Sequence, residues 1–373
     1  MDKFKRYIIS SVSLTVILPA LVVLSVVSGN AQMPITNGRY HSIVDRIRSE
    51  LDNVPADAGI DIKLTASGSI NTDDLEDLLI KVYNSKEGKT QDMYLEDYLM
   101  GVVYAEMSLN YGIEALKAQA VAARSFALNK FYNDHEGVNR HKGEAVICTD
   151  YTHCQAWKDP NEIVTAYGAS RGQELYDKLK EAVQATRGIV MTYDGEIIKA
   201  MYFSSSGGYT ESMEDVWNED LSYLQSVPSY GELVDDYYCN FEYFSKKDFV
   251  ARFKKAYGDR FDASPDNVLQ SIKDIERSAT GRIKKMTIGG VELTGIAARS
   301  ILGLRSTNMI FREFNKDAIL VITIGTGHGV GMSQLGAGVM ADQGKTYEEI
   351  LKHYYTGITL ERELYTSIGL PSN

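Results

Sequence analysis

The chain has 373 residues, with 39 Lys and Arg against 50 Asp and Glu, a formal net charge of −11. That balance excludes nucleic-acid binding through a basic face, and 44% apolar with 24% charged residues excludes a disordered chain. Cys148, Cys154 and Cys239 are too few for a disulfide-stapled scaffold, and the length corresponds to roughly two domains.

In chain order, Lys3, Lys5 and Arg6 precede an uncharged apolar run, Tyr7 to Val27, which as a helix is about 31 Å long, enough for a bilayer core. The flanking positive charge predicts residues 1–6 as a cytoplasmic tail, 7–27 as a single transmembrane anchor and the bulk of the chain outside the cytoplasm. A cleaved signal peptide is the alternative, with Ser28, Gly29 and Ala31 near a cleavage point, although its apolar stretch is usually only about 7 to 15 residues. Residues 28–75 mix Pro, Gly, Ala, Asn and Asp with weak periodicity and read as a tether, with at most a short helix over Tyr40–Leu51. The extracytoplasmic domain is expected over residues 76–365.

Within it, Leu78–Tyr83 reads as a strand and Tyr94–Tyr104 as a helix with Leu95, Leu99, Val102 and Val103 on one side. Ile113–Phe131 carries small apolar residues on opposite faces and predicts a helix buried nearly all round. Helices follow at Tyr176–Thr186, Lys246–Tyr257 and Tyr347–Tyr355, with buried strands at Gly195–Phe203 and Ala318–Ile324. Ile283–Leu293 reads as a hairpin turning at Gly289-Gly290. The irregular alternation of these elements predicts a mixed α+β architecture rather than a doubly wound sheet.

Two apparent nucleotide motifs fail. Gly344-Lys345-Thr346 lacks the upstream glycine of a phosphate loop, where Val339 stands, and the third glycine of a dinucleotide loop starting at Gly325 or Gly327 would fall on Val330 or Met332. This agrees with an extracytoplasmic location, where such cofactors are not available.

Four places could hold chemistry. Glu106 ends the apolar run Gly101 to Met107, where lost hydration would raise its pKa toward the range of a general acid; a solvent-facing glutamate at a helix end is the plain alternative. Ser204, Ser205 and Ser206, with Gly207 and Gly208, follow a strand and could grip sugar hydroxyls or form a polar turn. His328 sits among Gly327, Gly329 and Gly331, where a ligand could approach the backbone near Ser333 and Gln334, or where a tight strand-to-helix connection runs. His141, Cys148, His153 and Cys154 offer zinc ligands that would close a structural site; a Cys148–Cys154 disulfide or unlinked thiols are the alternatives. Cys239 reads as a small buried apolar residue. The 37 aromatic residues could stack on sugar rings, though most must be packing.

Tyr98-Leu-x-Gly101-Val-Val-x-Ala-Glu106-Met107, followed by Glu114 to Leu128 (EALKAQAVAARSFAL), resembles the stage II sporulation protein D family of endospore-forming bacteria. The resemblance continues at Tyr202–Glu211 through Val216-Trp217, at Arg299 to Ser306 and at Gly327–Gln334 to Gly357, and covers about residues 76–360. It implies two lobes around a glycan-binding groove. The implied activity is that of a lytic transglycosylase, cutting between N-acetylmuramic acid and N-acetylglucosamine in peptide-stripped peptidoglycan during engulfment. The family's catalytic glutamate falls on Glu106, with Gln119, Arg124, Tyr202, Ser204, Ser205, Ser206, His328 and Gln334 as groove-wall expectations. Ser108 stands where relatives often have proline. The His/Cys cluster is a trait of clostridial relatives and implies structural zinc. Implied partners are peptidoglycan strands, a peptidoglycan amidase and a membrane scaffold at the sporulation septum. The competing readings are a non-catalytic modifier of an amidase and a metallo-amidase using His141 and His153. A closed thiolate-rich site speaks against the latter.

Overall fold

The computed structural model describes residues 77–133, 141–229, 231–232 and 238–362. The expected tail, anchor and tether, residues 1–75, lie outside the described residues. No described helix is long and apolar enough to cross a membrane.

The fold begins with an antiparallel hairpin, β1 (Leu79–Asn84) and β2 (Lys89–Tyr94), in which Ile80 and Val82 point inward by simple alternation. Helix α1 (Leu95–Glu106) follows directly, its first turn carrying Glu96 and Asp97, which suit the positive end of the helix dipole. Helix α2 (Ile113–Asn133) is the central element. Ala115, Ala118, Ala120, Ala122 and Ala123 have no exposed surface, so neighbours approach from every side as the sequence predicts. Full burial of Leu116 and Leu128 stabilises by about 2 kcal/mol each.

Strand β3 (Ile147–Cys148) adds to β1 in parallel. Helix α3 (Glu162–Tyr167) packs on helix α4 (Ala169–Ala185), which covers α1 and α2 with Leu175, Leu179, Ala182 and Val183 forming one stripe. Strands β4 (Ile189–Tyr193) and β5 (Glu196–Ile197) pair antiparallel. The continuous strand expected over residues 195–203 is instead broken. After Ile198 the chain leaves this sheet, and β6 (Tyr202–Phe203) pairs elsewhere.

A second hydrophobic core follows. It is built by β7 (Cys239–Ser245), helix α6 (Lys246–Tyr257), strands β9 (Ile283–Ile288) and β10 (Val291–Thr294), helix α7 (Gly295–Leu302), and strands β11 (Met309–Asn315) and β12 (Ala318–Ile324), while the exposed strand β8 (Lys273–Arg277) pairs with β9 at the sheet edge. The short helix α5 (Met213–Trp217) precedes them. The sheets run β10-β9-β8 and β11-β12-β7, and Gly289 and Gly290 turn the predicted hairpin with φ of 55° and 76°. Phe244, Phe249, Phe253 and Phe261 stack through this core. Strand β12 buries only alternate residues, so the expectation of a strand enclosed on both sides does not hold. Cys239 is half-buried on β7 rather than fully enclosed.

The chain then rejoins the first core through β13 (Met332–Ser333), helices α8 (Gln334–Asp342) and α9 (Tyr347–Tyr354) and β14 (Thr359–Arg362), which pairs with β4. β13 runs parallel to β6. The Met201 carbonyl accepts from Met332 N at 3.1 Å and from the Tyr355 hydroxyl at 2.7 Å, which is why the chain abandons the β4 sheet here. Gly331, at φ 78°, makes this approach possible, because a Cβ there would collide with the Met201 carbonyl. The outcome is the mixed α+β class expected.

Candidate active site

Helix α1 ends with Glu106 on the wall of a cavity of about 720 Å³. The helix stops because Met107 is extended, its N–H closing on the Val103 carbonyl at 3.0 Å. Gly101 lacks the side chain that would collide with the Trp157 indole, so the segment 155–158 lies directly against α1. It brings the Ala156 N–H to Glu106 Oε1 at 2.8 Å. From the other side Gln334, the first residue of α8, donates Nε2 to Glu106 Oε2 at 3.2 Å. Gln119 is fully enclosed on α2 and accepts from the same amide at 3.4 Å, so it orients Gln334 rather than reaching a ligand.

Burial raises the Glu106 pKa; the Ala156 N–H, the Gln334 amide and the Lys158 charge oppose this without cancelling it. The carboxyl can thus hold its proton above the ordinary carboxylate range and still be met by two donors once it gives the proton up. That combination suits a group that acts first as acid and then as base.

The remaining expected residues divide clearly. The Tyr202 hydroxyl, on β6, lines the cavity and accepts from Gln155 Nε2 at 2.8 Å, leaving its own proton to donate. Its pKa is raised by burial and by the Glu106 charge, so it stays protonated. His328 also lines the cavity, between the rings of Phe203 and Trp217. Its Nδ1 accepts from the Val330 N–H at 3.1 Å, and burial together with the Arg282 and Arg299 charges lowers its pKa to about 3. It therefore presents a neutral ring, not a titrating base.

Arg124 does not line the cavity. Its side chain has no exposed surface, and its Nε and Nη2 donate to Glu96 at 2.9 and 2.6 Å. A third bond, from Nη1 to the Ile189 carbonyl, ties α2 to β4. Ser205 and Ser206 are also enclosed. Ser205 exchanges backbone bonds with Thr326, and Ser206 donates through its N–H and Oγ to Glu232 at 2.5 and 3.0 Å. Ser204 is exposed, and its carbonyl accepts from Leu335 N. The serine loop thus braces β6 against α8, and a groove-wall role for Arg124, Ser205 and Ser206 is corrected by their burial.

His141, Cys148, His153 and Cys154 do converge, with one ligand atom from each lying within 4.8 Å of the others. Adjacent residues 153 and 154 can share a centre because both their N–H groups bond to the Asp150 carbonyl, curling the turn. Both cysteines carry free thiols. Nδ1 of His153 lies 3.2 Å from Cys154 Sγ and 3.8 Å from Cys148 Sγ, and Nε2 of His141 lies 3.6 Å from Cys154 Sγ. The hydrogen bond between the thiols pulls Cys154 down to about 4 and pushes Cys148 up. Two sulfurs and two imidazole nitrogens at these spacings fit a tetrahedral zinc ion. Gln155 and Ala156 follow directly, so this cluster borders the Glu106 cavity, which His153 and Cys154 also line.

A family model described as stage II sporulation protein matches residues 83–193. Stage II sporulation protein D of Bacillus amyloliquefaciens is 36% identical over 281 residues, which is 75% of this chain and 78% of the relative. Its counterpart from Bacillus subtilis is 36% identical over 280 residues, 74% and 77% of the two chains. The chain belongs to the stage II sporulation protein D family. An amidase enhancer from Bacillus subtilis is 28% identical over 307 residues, 70% of this chain and 40% of that protein.

The family match spans Glu106, Gln119 and the whole His/Cys cluster, whereas Tyr202, His328 and Gln334 come from later in the chain. Sequence reasoning missed Gln155, the Ala156 N–H, Lys199 and Arg299 as parts of this family member's cavity. A backbone donor has no sequence signature. Arg299 had one, since it opens a motif already noted for its resemblance to the family.

Proposed function

We propose that the protein is a peptidoglycan lytic transglycosylase that cleaves the bond between N-acetylmuramic acid and N-acetylglucosamine in peptide-stripped strands, leaving 1,6-anhydro ends. The observation that carries this is Glu106, a half-buried carboxyl with raised pKa and, among the described residues, the one carboxylate lining its cavity. Hydrolases that retain or invert configuration usually need two carboxylates, roughly 5 to 10 Å apart. One carboxyl suffices if no water enters the reaction. Protonated Glu106 gives its proton to the glycosidic oxygen as the bond to the muramic C1 breaks. The resulting carboxylate then takes the proton of the C6 hydroxyl of the same sugar as that oxygen bonds to C1. Acid and base are the same group, restored at the end. Tyr202 and Gln334 hold substrate and carboxylate in register, within a groove between two lobes.

The His/Cys cluster would hold zinc through four protein ligands, leaving no position for water, so the metal's part is to fix the turn that ends at Ala156. The enzyme would work as a single-pass membrane protein at the sporulation septum, its N-terminus cytoplasmic, beside a peptidoglycan amidase and a membrane scaffold.

The test is mass spectrometry of peptide-free glycan strands incubated with the wild-type protein and with Glu106→Gln. Anhydro ends from the wild type alone are expected; reducing ends would mean hydrolysis, and unchanged products from Glu106→Gln would overturn the assignment. The similarity to a protein named amidase enhancer supports a second reading, a non-catalytic modifier. It predicts strand binding and amidase stimulation without any cleavage.

A further inference from the structure

Gln155 stands between Cys154 of the His/Cys cluster and Ala156, whose N–H meets Glu106, and its side chain is buried. It joins three elements of the first core. Its Nε2 lies 3.4 Å from the Ala123 carbonyl on α2 and 2.8 Å from the Tyr202 hydroxyl on β6, while its Oε1 lies 3.2 Å from the Tyr98 hydroxyl on α1. The order of protons along this chain is forced. A carbonyl can only accept, so the end of the amide that faces Ala123 is the nitrogen. The same nitrogen donates to Tyr202, whose oxygen accepts, and the amide oxygen at the other end takes the proton of Tyr98. Burial keeps both phenols protonated. The Tyr202 proton is thus turned away from Gln155, and among the described residues no acceptor takes it. Tyr202 and Glu106 line one cavity, so the direction left to that proton is toward a ligand.

We propose that Gln155 is a positioning residue: held by Ala123 and Tyr98, it commits the Tyr202 hydroxyl to donating into the cavity, to an oxygen of the bound glycan that takes no part in the bond changes. The inference rests on the glycan reading above. In that reading the glycosidic oxygen receives its proton from Glu106 and the C6 hydroxyl gives one up. The partner of Tyr202 is therefore another acceptor on the sugar, an N-acetyl carbonyl or a ring hydroxyl. A bond to such an oxygen is equally strong before and during cleavage, so its loss weakens binding and leaves the turnover of bound strand alone. A freely rotating phenol could meet a ligand as donor or as acceptor. Gln155 removes the second option before the strand arrives, which lowers the ordering cost of binding.

The experiment is a double-variant cycle in the full chain, with Tyr202→Phe, Gln155→Met and the two combined. KM and kcat are measured separately on peptide-free glycan strands, at a temperature where thermal melts show each variant folded. Tyr202→Phe should raise KM about 10-fold, the cost of leaving one buried acceptor unmet, and change kcat by less than about twofold. Gln155→Met should raise KM about 3–10-fold while Tyr202 is present, and by less than about twofold once Tyr202→Phe has been made. A part in packing alone predicts otherwise, since Gln155→Met would then lower the active fraction, and with it kcat, by the same factor in both backgrounds. Equal losses in the two backgrounds would overturn the proposal. So would an unchanged KM in Tyr202→Phe, whether or not Gln155→Met folds. The same cycle read as equilibrium affinities in the Glu106→Gln background separates this inference from the lytic assignment. A chain that cuts nothing but shows the coupling in its affinities would lose only that assignment, whereas failure to bind strands at all would overturn both.

Discussion

Removing Arg124 should damage the fold and not the groove. The Arg124 side chain is fully enclosed and that of Glu96 is 10% exposed, so the pair is hardly screened by solvent. Two charge-assisted bonds join them, and a third reaches β4, so one guanidinium holds α1, α2 and β4 together. Arg124→Met keeps much of the volume but leaves the Glu96 carboxylate enclosed without its partner. Such a break costs about 3–5 kcal/mol, and Glu96→Gln, which strands the guanidinium, should cost a similar amount. The double variant Glu96→Leu/Arg124→Met buries no unpaired charge, so it should be more stable than the sum of the single losses by about 2 kcal/mol or more. Urea unfolding followed by circular dichroism gives the stabilities, and glycan binding is measured under conditions where each variant is folded. The reasoning fails if Arg124→Met is within about 1 kcal/mol of wild type. It fails equally if the folded variant has lost glycan binding, because Arg124 would then be a groove residue after all.

Glycan cleavage should need protonated Glu106, so its rate should fall as pH rises through a pKa that burial has raised above the ordinary carboxylate range, as a pH–rate profile would show. Gln334→Met removes a donor to the carboxylate, which raises that pKa further; the falling limb should move to higher pH and the maximal rate should drop. Gly331→Ala should lower stability by at least about 2 kcal/mol in a thermal melt, since an unfavourable positive φ adds to the collision with the Met201 carbonyl. Elemental analysis should find one zinc per chain, and chelation should lower the melting temperature of the wild type but not of a Cys148→Ala/Cys154→Ala variant.

Local pattern was a good guide where one side of an element meets one environment. The alternation of Ile80 and Val82, the small residues of α2 and the paired glycines at 289 and 290 each specify their structure through neighbours close in the chain. The same reasoning failed at residues 195–203, where an apolar run looks like one strand until distant groups compete for its carbonyls. It also misjudged Arg124 and the serine loop. Polar side chains in a motif suggest a ligand, yet Arg124 and Ser206 are engaged by Glu96 and Glu232, partners whose approach depends on packing.

By itself the sequence determined the class of the fold, a carboxyl at the close of an apolar run, and the set of metal donors, because each follows from residue type and short spacing; the helix expected to stop at Tyr104 runs on to Glu106. Only the tertiary structure decided which of these groups share a cavity. Glu106, Ala156 and Gln334 are up to 228 positions apart and meet because α2 is slim enough for α1 and α8 to close around it. Burial, and with it the raised pKa of Glu106, belongs to that closure, since a side chain loses its water only when remote parts of the chain take its place.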